Sequence, residues 1–218
     1  MSTIPSWLDT FRAGASNFSV PQVLRHPLPG SRFAAVLVLF GEGPEGPDLL
    51  LIQRAVTLNN HAGQPAFPGG GIDPEDAGPV AAALREAHEE TGLDPAGVEV
   101  LVTLPELYLA HSGYRVTPVA GWWREPTEVF VADPGEVASV ARVPIAELVD
   151  PANRLNVRSP RGGHAGPAFR AGGMLVWGFT AGLLTEVLDV GGWSRPWDTT
   201  RTEDLPQEIL DLAAGPSD

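Results

Sequence analysis

Three glutamates, Glu86, Glu89 and Glu90, stand within the run REAHEE. On an α-helix the i, i+3, i+4 spacing projects them from one face. Glu86 and Glu90 repel each other there, at a cost of about a few tenths of a kcal/mol in a free helix. A hard divalent cation with oxygen ligands removes that penalty, and Mg2+ in particular suits few carboxylates completed by substrate phosphate oxygens. Arg85 precedes them, and its guanidinium can orient a carboxylate or neutralise charge on a phosphoryl group. Glutamate-rich helix faces are common, so the triplet alone does not specify a metal; its setting has to.

The setting is a helix with punctuation at both ends. Gly78 and Pro79 stand where an N-cap and first helical residue belong, and Gly92 where a C′ glycine ends the helix, which places it over Pro79 to Thr91. Val80, Leu84, Ala87 and Thr91 fall within a narrow arc, the face expected against a sheet, with the glutamates on another side. Upstream, Thr57 to Asp76 contains HAGQPAFPGGGIDPED, and a stretch this long and rich in turn formers argues for a functional loop. The apolar runs Phe33 to Phe40 and Asp48 to Arg54, joined by GEGPEGP, read as two adjacent core strands. Val98 to Leu109, Arg115 to Trp123 and Val137 to Val143 are further strand candidates; Pro144 to Val149 reads as a short helix and Met174 to Asp189 as a final buried one. Residues 1–31 form an N-terminal extension, 32–192 the domain and 193–218 a C-terminal tail.

Composition narrows the function classes. With 14 Lys and Arg against 27 Asp and Glu, a formal charge of −13 repels a nucleic-acid backbone. A small phosphorylated substrate remains compatible, because a cation held by carboxylates turns an acidic pocket into a phosphate site. The absence of cysteine removes disulfides, thiolate metal sites and cysteine nucleophiles together. The first residues carry no apolar signal-like core, and the longest apolar stretch, Gly172 to Thr185, is short of the roughly 20 residues a membrane span needs. The expectation is a cytoplasmic protein with neither nucleic acid nor membrane as partner; a homodimer is left open.

Phe67, Pro68, Gly69, Gly70 and Gly71, an acidic stretch, a capped helix with Arg85 and three glutamates, then Gly92 and Leu93: in this combination the chain resembles the Nudix hydrolase family. The R-E-x-x-E-E-x-G ending of that family's box is complete at Arg85, Glu86, Glu89, Glu90 and Gly92. The front half departs, with Asp76 in place of glutamate and eight residues before Arg85 where the general pattern has seven, a strict spacing that would fall on Ala77. A narrower resemblance is to the coenzyme A pyrophosphatase branch, through LLIQRA at 50–55 and GQPAFPGG at 63–70. Asn59 stands where that branch usually has arginine. The similarity spans roughly residues 33–190 and includes PELYLAHSGYRVTPV and GMLVWGFTAGLL.

The resemblance implies a three-layer α/β/α sandwich around a mixed β-sheet and an Mg2+- or Mn2+-dependent pyrophosphohydrolase acting on a small nucleoside diphosphate derivative. Metal falls to Glu86, Glu89 and Glu90, catalysis to Glu89 and Arg85, and substrate binding to Arg54, Gly69, Gly70 and Gly71. Glu89 is the first candidate to accept a proton from the attacking water, and Glu136 the second, with a solvated turn as the plainer role for Glu136. Gly69 to Gly71 would admit a phosphate close to the backbone, although a turn explains glycine equally. For Arg54 a strand-end surface position is as good an account as a phosphate contact. His61 and His88 lack ligand spacing to another histidine, and the tryptophans Trp122, Trp123 and Trp177 suit core packing better than a ligand slot. The branch implies cleavage of coenzyme A or acyl-coenzyme A to 3′,5′-ADP and (acyl-)4′-phosphopantetheine. ADP-ribose, NADH or an oxidised nucleotide is the alternative within the class, and a non-catalytic nucleotide-binding module the alternative outside it.

Overall fold

The computed structural model describes residues 4–18, 30–58, 61–109, 113–158 and 165–214. Its organising strand is the apolar run of the sequence, β1 (Arg32–Gly43). Along one edge β1 runs parallel to β7 (Tyr114–Trp123), from Arg32 opposite Tyr114 to Phe40 opposite Trp122. The other edge is shared: Phe40 to Gly43 pair antiparallel with β2 (Gly46–Arg54), and Ala34 to Val36 pair antiparallel with the three-glycine strand β4 (Gly69–Gly71). Beyond β2 lie β3 (Pro65–Ala66) and β8 (Val137–Pro144), and beyond β7 lie β5 (Val98–Thr103) and β6 (Leu107–Leu109). Val98 to Leu109 is thus two strands, because the regular ladder with β7 breaks between Thr103 and Leu107, where Leu104 N–H still reaches the Pro118 carbonyl at 2.9 Å.

The period of two in β1 sorts its side chains between two cores. Ala35, Leu37 and Leu39 pack with Ala82, Ala83 and Ala87 of α2 (Pro79–Thr91). Val38 and Phe40 pack with Leu8, with Phe11 of α1 (Asp9–Gly14), and with Leu184, Val187 and Leu188 of α4 (Gly178–Val190). The result is the expected α/β/α sandwich around a mixed sheet. The short α3 (Ile145–Leu148) follows β8. Residues of the N-terminal extension therefore fill part of the core, where Phe11 meets Phe40 edge-on at 4.8 Å and stacks with Trp193 at 6.3 Å.

A second sheet flanks the first, ordered β11 (Met174–Val176), β10 (Gly166–Ala171), β9 (Arg154–Arg158) and β12 (Thr202–Asp204). The C-terminal residues supply β12, which runs parallel to β9, and then α5 (Gln207–Ala214). Met174 to Asp189 is not one helix. Met174 to Val176 form a strand, and Gly178, at φ 64°, turns the chain into α4; a short apolar run satisfies either geometry, and the left-handed glycine decides between them. Among the described residues no helix is long and apolar enough to cross a membrane.

Candidate active site

Helix α2 begins with Gly78 and Pro79 and ends on Gly92, whose left-handed backbone (φ 68°) brings its N–H to the carbonyl of His88. The two ends match the reading of the sequence, and the expected face does pack inward, Ala87 and Thr91 fully and Val80 and Leu84 partly, but the buried surface is wider than that face: Ala82 and Ala83 are fully buried and Glu90 is buried with them, 2 % exposed. The cause is β4. Its approach to α2 is closed by a hydrogen bond from Gly69 N–H to Glu90 Oε2 at 2.9 Å.

Gly69 is required by contact with the main chain of β1, and Gly70 makes room for the Glu86 carboxylate. A Cβ on Gly69, which sits at φ 155°, would fall 2.3 Å from the carbonyl oxygen of Ala35, and one on Gly70 would fall 2.5 Å from the carboxylate of Glu86. Gly71 has open space around it. The three glycines form a strand edge against two carboxylates, in place of a turn.

Glu90 Oε1 is buried and accepts no hydrogen bond; Arg54 Nη1 lies 3.7 Å away, too far for one. Burial, the charge of Glu86 and that of Glu136 push the Glu90 carboxyl up to about 8, against the pull of Gly69 N–H and Arg54. Burial also raises Glu86, opposed by Arg85 and reinforced by Glu89 and Glu136. Glu136 therefore acts on both Glu86 and Glu90 through space. Its main chain is tied to the end of β2, where Ala55 N–H donates to its carbonyl at 2.8 Å.

Arg85 uses every N–H it has. Nε and Nη2 hold the two oxygens of Asp76 at 3.1 and 2.9 Å, Nη2 also reaches the Gly71 carbonyl at 3.0 Å, and Nη1 donates to Glu86 and Glu89 at 2.9 Å each. Asp76, shifted by one residue from the expected spacing, still grips the guanidinium side-on, and that hydrogen bond holds its carboxyl below the usual range. Glu89, 54 % exposed, extends toward Arg85 and solvent. Of the site residues named from the sequence, the fold thus gathers Arg54, Gly69, Gly70, Glu86 and Glu90 in one group and links Glu89 to it through Arg85. Asn59 lies outside the described residues. His61 pairs with Gln64 and His88 with the Leu93 carbonyl, and Trp122 and Trp123 are core residues.

A glycine-lined strand edge over carboxylates of an R-E-x-x-E-E-x-G helix is matched at the level of sequence families by the NUDIX domain, whose model aligns with residues 30–161. The chain belongs to the Nudix family. It is similar to Nudix hydrolases called NudL: 42 % identical to that of Cronobacter sakazakii over 88 % of this chain and 98 % of the relative, and 40 % identical to that of Escherichia coli K12 over 78 % and 88 %. Both relatives are themselves uncharacterized Nudix hydrolases by name. Among solved structures, the Nudix hydrolase RenU of M. smegmatis is 26 % identical, with a TM-score of 0.45 over 54 % of this chain and 73 % of that one. The protein is accordingly a Nudix hydrolase of a nucleoside diphosphate derivative, in a family that generally uses divalent metal ions.

The residues present fit such an ion in part ready-made. The buried Glu90, with one oxygen lacking any hydrogen bond, and the partly buried Glu86, whose charge helps raise the Glu90 pKa, are hard oxygen donors. Among the described residues no three His, Asp or Glu side chains already stand together as a ligand set; Glu89 would have to leave Arg85 to join.

A stability measurement follows from the same burial. The Glu90 carboxyl titrates near 8 when folded and near its ordinary 4.5 when unfolded, so folding favours the neutral form. Its contribution is complete below pH 4.5 and is lost as pH rises toward and through 8. Asp48, Glu86 and Glu186 are raised as well and act with the same sign, while the lowered Asp76 and Asp198 are already ionised across this window. Metal-free protein is expected to melt about 5–10 °C lower at pH 8.5 than at pH 5.5, and saturating Mn2+ to recover most of the difference at the higher pH. Thermal melts in chelator at both pH values check it; a melting temperature independent of pH would contradict the burial of an ionisable Glu90.

Proposed function

We propose that this Nudix hydrolase cleaves the pyrophosphate of coenzyme A or an acyl-coenzyme A, giving 3′,5′-ADP and (acyl-)4′-phosphopantetheine. One observation carries the reading. The two segments that resemble the coenzyme A branch, LLIQRA and GQPAFPGG, are the ones that meet at the carboxylates: the first carries Arg54 beside Glu90, and the second ends in Gly69 and Gly70 over Glu90 and Glu86. The second is also anchored at its middle, where Thr180 of α4 donates to the Pro65 carbonyl at 2.9 Å.

In this reading Glu86 and Glu90 hold Mg2+ or Mn2+, with Glu89 recruited when the ion binds. The ion supplies neutralisation of the pyrophosphate and a more acidic bound water. Arg85, saturated by protein acceptors, fixes the carboxylates in place and leaves the phosphates to other groups. Arg54, whose Nε is buried without a partner, is the cation available to a phosphate oxygen. Gly69 to Gly71 keep the strand edge free of side chains so that a phosphate can come close. Glu89 takes a proton from the attacking water, and Glu136, whose charge reaches Glu86 and Glu90, is the second carboxylate able to do so.

The test is a substrate panel of coenzyme A, an acyl-coenzyme A, ADP-ribose, NADH and an oxidised nucleoside triphosphate, each with Mg2+ or Mn2+ and with products separated by chromatography. The expected outcome is metal-dependent release of 3′,5′-ADP at the highest kcat/KM of the panel. Faster cleavage of ADP-ribose or NADH would transfer the same machinery to that substrate. Binding without turnover across the panel would instead favour a nucleotide-sensing module.

A further inference from the structure

Far from the carboxylates, on the other layer of the sandwich, an open cleft of about 440 Å3 lies between α4 and the chain that follows it. Arg154, Thr185, Asp189, Ser194, Arg195 and Trp197 are among its lining residues. Thr185 and Asp189 belong to α4, which packs on the sheet face opposite α2, so the cleft is separate from the Glu86 and Glu90 site.

Arg154 is unusual within it. The residue is 3 % exposed, its Nε has no hydrogen-bond partner, and among the described residues no carboxylate lies within ion-pair distance. What holds the guanidinium is aromatic. Its carbon sits 4.2 Å from the ring centre of Phe169, the residue opposite it in the β9–β10 ladder, and 4.9 Å from that of Trp197. Ring faces offset part of the desolvation of a cation but offer nothing to its N–H groups. Buried arginines are ordinarily paired, because an uncompensated buried charge is costly. Burial accordingly lowers the pKa of Arg154, with Asp189 acting the other way.

The remaining lining groups define the ligand that would complete the pairing. Arg195, which is exposed, adds a second cation. The hydroxyls of Ser194 and Thr185 already donate, to Asp189 and to the Ala181 carbonyl. They and Asp189 are therefore left as acceptors. The cleft thus offers two guanidinium groups together with hydroxyl and carboxylate acceptors, in a chain whose net charge of −13 otherwise repels anions.

We propose that this cleft is a second ligand site, taking a phosphate monoester whose carrier bears hydroxyl groups: the phosphate between Arg154 and Arg195, the hydroxyls toward Asp189 and Thr185.

The experiment is calorimetric titration of the full chain, in chelator, with ribose 5-phosphate, inorganic phosphate, ribose and succinate. Ribose 5-phosphate is expected to bind more tightly than inorganic phosphate, with ribose silent. Arg195→Gln, an exposed change that spares the fold, should weaken binding about tenfold, and Arg154→Lys, which keeps the charge but loses the planar fork, by at least as much. Glu90→Gln should leave it unchanged. No binding at millimolar ribose 5-phosphate, or equal binding by wild type and Arg195→Gln, would overturn the site. Binding altered by Glu90→Gln would move the ligand to the carboxylate site and also overturn it, and succinate matching the phosphate ester would overturn the phosphate assignment.

Discussion

Glu90→Gln is expected to lower metal-dependent hydrolysis about 10^3-fold, equivalent to about 4 kcal/mol of transition-state stabilisation, while leaving the fold intact. The argument rests on what Gln keeps and what it removes. Its amide oxygen can still accept from Gly69 N–H, the bond that seats β4 on α2. The buried anion goes, and with it the carboxylate oxygen proposed to take the metal, which has no hydrogen bond in the folded chain. At pH 8.5 and without metal, the variant should therefore melt at or above the wild-type temperature, since the folded wild-type carboxyl is ionised there against its burial. Activity and stability move in opposite directions. Steady-state rates with the best substrate of the panel, together with melts in chelator, check both halves; loss of stability alongside loss of rate would show that Glu90 is a structural residue first.

Gly69→Ala should damage stability and activity together. The Cβ would meet the Ala35 carbonyl oxygen at 2.3 Å and Val36 Cα at 2.6 Å, both main-chain atoms of the central strand that cannot swing aside. The φ of 155° is also one that L side chains rarely adopt. We expect a loss of about 3 kcal/mol or more, a fall of about 6–12 °C in melting temperature, and near-complete loss of hydrolysis as β4 withdraws from Glu90. Gly71→Ala, with open space around it, is the control and should melt within about 2 °C of wild type. If the two alanine variants behaved alike, the close approach of β4 would not be what selects glycine at Gly69.

The pair shows where sequence reasoning reaches and where it stops. Helix α2, its caps and the common face of Glu86, Glu89 and Glu90 follow from local rules: Pro at the first position, Gly past the last, and a 3.6-residue period. The burial of Glu90 does not, because β4 causes it, and Gly69 is 21 residues away along the chain. Arg54 is similar: at a strand end either solvent or a carboxylate could face it, and only the folded register puts it 3.7 Å from Glu90. Asp76 was displaced from the expected spacing, yet a flexible loop and a long arginine absorb one residue without losing the side-on pair. The second sheet was the hardest part to read. Leu155 and Val157 alternate as a strand should, but the run is short, and nothing local announces that Thr202 to Asp204 will lie parallel to it. In Met174 to Val190 the apolar character was legible and the geometry was not, since one glycine in a left-handed conformation separates strand from helix.

With the ion held at Glu90 as proposed, the hydrogen bond between Gly69 and Glu90 would also serve as a gauge of metal occupancy. That amide donates to the oxygen beside the one that has no partner, so a cation bound at the free oxygen would draw charge from the carboxylate and weaken the bond. The Gly69 amide proton should shift upfield and exchange faster with solvent deuterium as metal is added, saturating at the metal concentration that saturates catalysis. Occupancy can then be followed at a single backbone position, with no substrate and no added dye.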